Sequence, residues 1–139
     1  MSSILPSDVF RGQQAATTSY YGVSGDNALI QAVHLQWDSV LACVITFWVT
    51  NFPENGQANV ALNSVVAGDW IQLQPTSGYT AVSPAGAATL GASPLIITVP
   101  AGTAGGAFVD LGNSGAHRMR VQVACTVAGQ LRIRASGKR

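Results

Sequence analysis

The stretch Arg118-Met-Arg-Val-Gln-Val-Ala-Cys-Thr-Val127, followed beyond Ala128-Gly129-Gln130 by Leu131-Arg-Ile-Arg-Ala135, decides the fold class. Met119, Val121, Val123, Cys125 and Val127 take every second place in the first run, and Leu131, Ile133 and Ala135 do so in the second. The places between carry Arg118 and Arg120, then Arg132 and Arg134. Successive strand side chains point to opposite faces, so the pattern predicts two strands, each apolar on one side and arginine-bearing on the other. Only Val127-Ala128-Gly129-Gln130 separates the runs, which predicts a tight hairpin turning near Ala128-Gly129. Four guanidiniums then form a row on one sheet.

Strand signals continue upstream, and no apolar stripe of helical period stands against them. Ala28 to Trp37 alternates, with Leu29, Val33, Leu35 and Trp37 in phase. Val40 to Thr50 is apolar on both parities, as in a central strand covered on both faces. Asn51-Phe-Pro-Glu-Asn-Gly56 has turn chemistry. Ala58 to Val66 and Asp69 to Gln74 are shorter strand candidates, and residues 75–94 read as a long Pro/Ser/Gly/Ala/Thr loop with at most one short strand. Leu95 to Val99 lies between Pro94 and Pro100, and Ala107 to Leu111 lies between two glycine turns. Seven to nine short strands at this spacing predict one antiparallel β-sandwich or jelly roll over residues 18–139. Residues 1–17 read as an extended N-terminal arm whose Ile4, Leu5, Val9 and Phe10 could pin it to a neighbour.

Charged residues make up 9% of the chain, against roughly 25% in an ordinary globular protein. Seven basic residues stand against six acidic ones, so no global field draws the chain to nucleic acid. A surface so poor in charge is expected to be neutral-polar or covered by other subunits. The longest apolar run, Val40 to Val49, is about half the ~20 residues of a membrane span, and the first residues lack a secretory signal pattern. Assembly in the cytoplasm and no membrane partner are the expectation. Cys43 and Cys125 both fall on the apolar phase of a strand and read as buried free thiols.

Catalytic supply is thin. Glu54 is the only glutamate, His34 and His117 have no neighbouring metal ligand, and Cys43, His117 and Asp110 show no triad logic. No enzyme activity, metal or cofactor is expected. The exposed-ring reading of Trp37, Trp70 and Tyr79 would make a platform for host-surface glycans, set against core packing of the same rings. The arginines suit bidentate contacts to carboxylates of a neighbouring protein. Phosphate binding usually comes with a basic field and lysines, and Lys138 is the single lysine, which argues against nucleic acid.

Several segments resemble the small β-sandwich virion proteins of tailed bacteriophages, the group of head decoration or cement proteins and tail-associated sandwiches. They are His34-Leu-Gln-Trp-Asp38, the apolar strand ending Val49-Thr-Asn51, Gly68-Asp-Trp-Ile-Gln72, Arg118-Met-Arg-Val121 and Gly129-Gln-Leu-Arg-Ile-Arg-Ala-Ser-Gly-Lys138. The likeness spans about residues 28–139 and breaks at the insertion 75–94. It implies a non-enzymatic subunit on the virion capsid surface, with the major capsid protein and other virion proteins as partners. A homodimer or homotrimer is expected, since small units of this kind form symmetric oligomers. A tail or baseplate adaptor, or a fibre-associated module, is the alternative that the same likeness implies.

Overall fold

In the computed structural model, which describes residues 3–23, 29–53, 59–73, 80–92, 94–111, 116 and 118–138, alternation becomes burial strand by strand. In β3 (Leu29–Trp37), Val33, Leu35 and Trp37 are buried while His34 and Gln36 are exposed. In β4 (Ala42–Thr50), Cys43, Ile45 and Phe47 turn inward, and in β8 (Leu95–Val99) so do Leu95, Ile97 and Val99. β10 (Arg118–Val127) and β11 (Gly129–Lys138) contribute Met119, Val121, Val123, Cys125, Leu131 and Ile133. These side chains form one continuous core, each burial stabilising the fold by roughly 1.5–3 kcal/mol.

Eleven strands are present among the described residues, with no helix. The others are β1 (Ser3–Gln14), β2 (Thr18–Val23), β5 (Ile71–Gln72), β6 (Thr80–Ser83), β7 (Thr89–Ala92) and β9 (Gly105–Asp110). One antiparallel sheet has the order β1-β11-β3-β9-β6, and the other β2-β10-β4-β8-β7 with β5 on the β4 edge beyond β8. Without β5, β6 and β7, the orders β1-β11-β3-β9 and β2-β10-β4-β8 are the interleaving of an eight-stranded jelly roll. The chain is thus the expected β-sandwich, with β5–β7 inserted between the fourth and fifth strands of the roll. The count exceeds seven to nine because that insertion adds three short strands. Of the expected strand Ala58 to Val66, Ala58 lies outside the described residues, and residues 59–66 form no strand, with a turn at Leu62-Asn63.

The expected hairpin is absent. β10 pairs with β2 and β4, whereas β11 pairs with β1 and β3 in the opposite sheet. The chain crosses between sheets at Ala128, and Gly129 is not among the glycines with positive φ that a two-residue hairpin turn would need. Gly129 is required for a different reason. A Cβ there would stand 2.6 Å from the Leu41 nitrogen and 2.7 Å from Asp38 Oδ1. Asp38 locks this corner: its Oδ1 accepts from Val40 N and Leu41 N at 3.0 Å each, and its Oδ2 from Gln130 N at 3.0 Å. One carboxylate therefore ties the β3–β4 crossing to the β10–β11 crossing.

Residues 3–14 are extended, as expected, and lie along β11 of their own chain as the edge strand β1. A register shift between Asp8 and Phe10 lets both Val9 and Phe10 pack partly buried against the core. The buried Gln14 then stitches the sheets together, donating to Ser19 Oγ at 2.9 Å and accepting from the Tyr21 hydroxyl.

Cys43 and Cys125 face each other across β4 and β10, both buried and free. Burial pushes the Cys43 thiol up to about 12, and burial likewise raises Cys125. At pH 8 both thiols are expected to react with an aromatic disulfide reagent only as fast as the protein unfolds, and both promptly in denaturant. Rapid labelling of the folded protein would refute the sealed core.

Candidate functional site

Crossing at Ala128 sends the two arginine pairs to opposite outer surfaces of the sandwich. On the β10 side, Arg118 and Arg120 lie beneath a strap formed by residues 59–70. Arg120 is only 3% exposed, and its guanidinium donates through one terminal nitrogen to Leu62 O at 2.9 Å and Ser64 O at 2.7 Å. Its Cζ lies 4.7 Å from the Trp70 ring centroid, 4.8 Å from Tyr20 and 5.3 Å from Trp48. Such cation–π contacts strengthen once water is excluded. No carboxylate pairs with Arg120 among the described residues, and its Nε has no hydrogen-bond partner. Burial pulls its pKa down, yet a guanidinium remains charged.

Arg118 completes the clasp. It donates to Val60 O at 2.8 Å and Phe52 O at 3.2 Å, with its Cζ 4.9 Å from the Trp70 centroid. Trp70 Nε1 in turn donates to Ala61 O at 3.0 Å. Strap and sheet thus form a small second core around Val60, Trp70 and Arg120, outside the main one. These two arginines are used within the chain by the strap, whereas Arg132 and Arg134 stand half-exposed on the opposite surface.

On the opposite surface, β1 presents Asp8, Arg11 and Gln13, β11 presents Gln130, Arg132 and Arg134, and β3 presents His34 and Gln36. Arg132 donates from Nε to Asp8 Oδ1 at 3.0 Å, and Arg134 Nε lies 3.7 Å from the same oxygen. The Arg132 hydrogen bond, helped by the Arg134 and Arg11 charges, holds the Asp8 carboxyl below its ordinary value. A shallow depression of about 260 Å³ lies between β1, β11 and β3, with Arg11, Gln36, Gln130 and Arg132 on its walls. Phe108 on β9 is 40% exposed beside His34, their ring centroids 6.1 Å apart.

Of the other residues singled out in the sequence, Val9 and Phe10 pack on the core of their own chain, and the side chains of Ile4 and Leu5 lie outside the described residues. Trp37 and Trp70 cannot form a glycan platform, since their rings are buried and hydrogen-bonded to backbone carbonyls. Tyr79, Glu54 and His117 lie outside the described residues. Cys43 faces the core from β4, whereas Asp110 faces outward from β9 in the other sheet, so the two do not converge. Among the described residues no three His, Cys, Asp or Glu side chains gather as a metal site. Arg11 escaped the sequence reading because it stands alone in a segment without clear alternation. Its one legible signal is a charge between Phe10 and Gly12 in an otherwise uncharged stretch.

No protein-family model, curated protein or solved structure matches this chain.

Proposed function

We propose that the chain is a non-enzymatic structural protein of a bacteriophage particle, a decoration or cement subunit that binds the capsid shell through the arginine-bearing face of β1, β11 and β3. The observation that carries this reading is the division of labour among the arginines. Arg118 and Arg120 are consumed by the strap, while Arg11, Arg132 and Arg134 stand on a rigid, half-exposed sheet surface. Jelly rolls serve viral shells as well as lectins and other binding proteins, so the fold alone selects none of these. The low charge, the rigid β-only framework and the resemblance of the β3, β10 and β11 segments to virion sandwiches favour the shell. A cement subunit works by area and complementarity, and roughly 800 Å² per partner is the usual scale.

The test is co-sedimentation of the purified chain with empty capsid shells of a tailed phage that encodes it, with copies per shell counted from the bound fraction. Saturable binding at a multiple set by icosahedral symmetry is expected. Absence of binding to shells, or imaging that places the protein only on the tail, overturns the assignment.

A further inference from the structure

We propose that the depression walled by Arg11, Arg132, Gln36 and Gln130 is a carboxylate-binding site that receives an acidic side chain of a partner protein. This deepens the docking role given above and rests on it only for the partner being a protein. The argument begins with register. Arg11 is directly opposite Arg132 across β1 and β11, and Arg132 is directly opposite Gln36 across β11 and β3. Two like charges facing each other on one sheet surface destabilise it unless an anion lies between them. The irregularity at Val9 is what brings this about, because it holds both Asp8 and Arg11 on the outer face.

Within the chain, that anion is only partly supplied. Asp8 engages Arg132 through Nε at 3.0 Å and a terminal nitrogen at 3.4 Å, and it is shared with Arg134. Arg11 is exposed and has neither an ion pair nor a hydrogen bond among the described residues. Asp38 also borders the depression, but both of its oxygens are turned into the backbone N–H groups of Val40, Leu41 and Gln130. The Gln130 amide is fixed by donating to Gln13 Oε1 at 2.7 Å, and Gln36 adds a further amide that is free to donate.

The planar Arg11 fork and the Arg132 N–H groups not taken by Asp8, on adjacent strands with amide donors beside them, match the two oxygens of a carboxylate. The space, about 260 Å³, falls short of the roughly 300–1,000 Å³ of pockets that engulf a small molecule, and it suits one inserted side chain. A nucleic-acid backbone would require a track of cations. Here, among the described side chains, Arg11, Arg132 and Arg134 stand with Asp8 and Asp38 around the depression, and no lysine lines it.

The experiment is an NMR titration of the full chain with a hexaglutamate peptide, following the arginine Nε–Hε and glutamine side-chain amide signals. Inorganic phosphate and a short single-stranded DNA serve as competing probes. The peptide is expected to shift Arg11, Arg132, Gln36 and Gln130 selectively. Arg11→Gln should weaken it at least tenfold without lowering the unfolding midpoint, since Arg11 makes no hydrogen bond or ion pair among the described residues and faces the like charge of Arg132. Unmoved signals, wild-type peptide binding by Arg11→Gln, or tighter binding of the DNA than of the peptide at equal salt each overturn the site. Arg11-dependent peptide binding without shell binding would remove the capsid assignment and leave the carboxylate site standing. Full shell binding by Arg11→Gln would do the reverse.

Discussion

Arg120→Ala is expected to lower stability by about 3–5 kcal/mol, read as a shift of the urea midpoint, and to free the strap before the sandwich unfolds. The side chain removed is a buried cation that bonds two carbonyls and touches three aromatic rings. Hydrogen bonds from a charged donor contribute ~1.5–3 kcal/mol each, and their loss leaves Leu62 O and Ser64 O facing a cavity. The desolvation of a guanidinium with no carboxylate opposes these gains, so the net lies well under the sum. Arg120→Lys keeps the charge but loses the fork and the stacking, and about 2 kcal/mol should go with them. Limited proteolysis separates this local role from a global one. Cleavage between residues 59 and 70 should appear in Arg120→Ala under conditions where the circular dichroism remains native. A midpoint within experimental scatter of wild type would remove the clasp from the account.

Gly129→Ala is the second large effect, at about 3 kcal/mol. The added methyl would lie 2.6 Å from Leu41 N, 2.7 Å from Asp38 Oδ1 and 2.8 Å from Leu41 Cα, so the backbone of one crossing must move away from the other. That movement also disrupts the Asp38 lock, which gives the variant an acid signature. The Gln130 N–H foremost, with those of Leu41 and Val40, holds the Asp38 carboxyl below its ordinary value of 3.8. A carboxyl depressed in the folded state stabilises fully above its unfolded pKa, and that stability is lost as pH falls through the lower native value. Wild-type stability should therefore decline as pH is taken below about 4, and Gly129→Ala should show a shallower decline from an already lower plateau. Equal acid slopes in the two proteins would show that Asp38 is unaffected and the corner argument wrong.

The faces of individual strands were legible in the sequence, and the assignment of strands to sheets was not. Of the set that the alternation predicts, Met119, Val121, Val123, Cys125, Leu131 and Ile133 face inward, Ala135 is half-buried, and Val127, beyond the register shift after Cys125, is exposed. A hairpin and a crossing between sheets leave the same period of two on each strand, however, and the short link at Ala128 fits both. What separates them is long-range: the approach of Leu41 to Gly129 and the bond from Gln130 to Asp38. Burial of Arg120 was hidden for a related reason. On the outward phase of a strand an arginine reads as solvated until the strap that covers it is known. The strap has no periodicity of its own, because its backbone is satisfied by turns and by arginine rather than by a ladder. Trp48 carried the trace of it, an aromatic ring on the outward phase of β4 that prefigured a covered outer surface.

The interleaved strand order also governs when this protein can fold. β10 and β11 are synthesised after every other described strand, yet each runs between two earlier ones: β10 between β2 and β4, β11 between β1 and β3. Until they emerge from the ribosome, β1 and β2 have no ladder partner, and each sheet lacks the strand that joins its edge to the rest. Pairings so distant in sequence are formed slowly, and the waiting chain exposes unpaired edges to its neighbours. A low-charge chain in that state depends on rapid completion or on a chaperone during translation, and truncation anywhere before β11 should yield aggregate rather than a smaller sandwich.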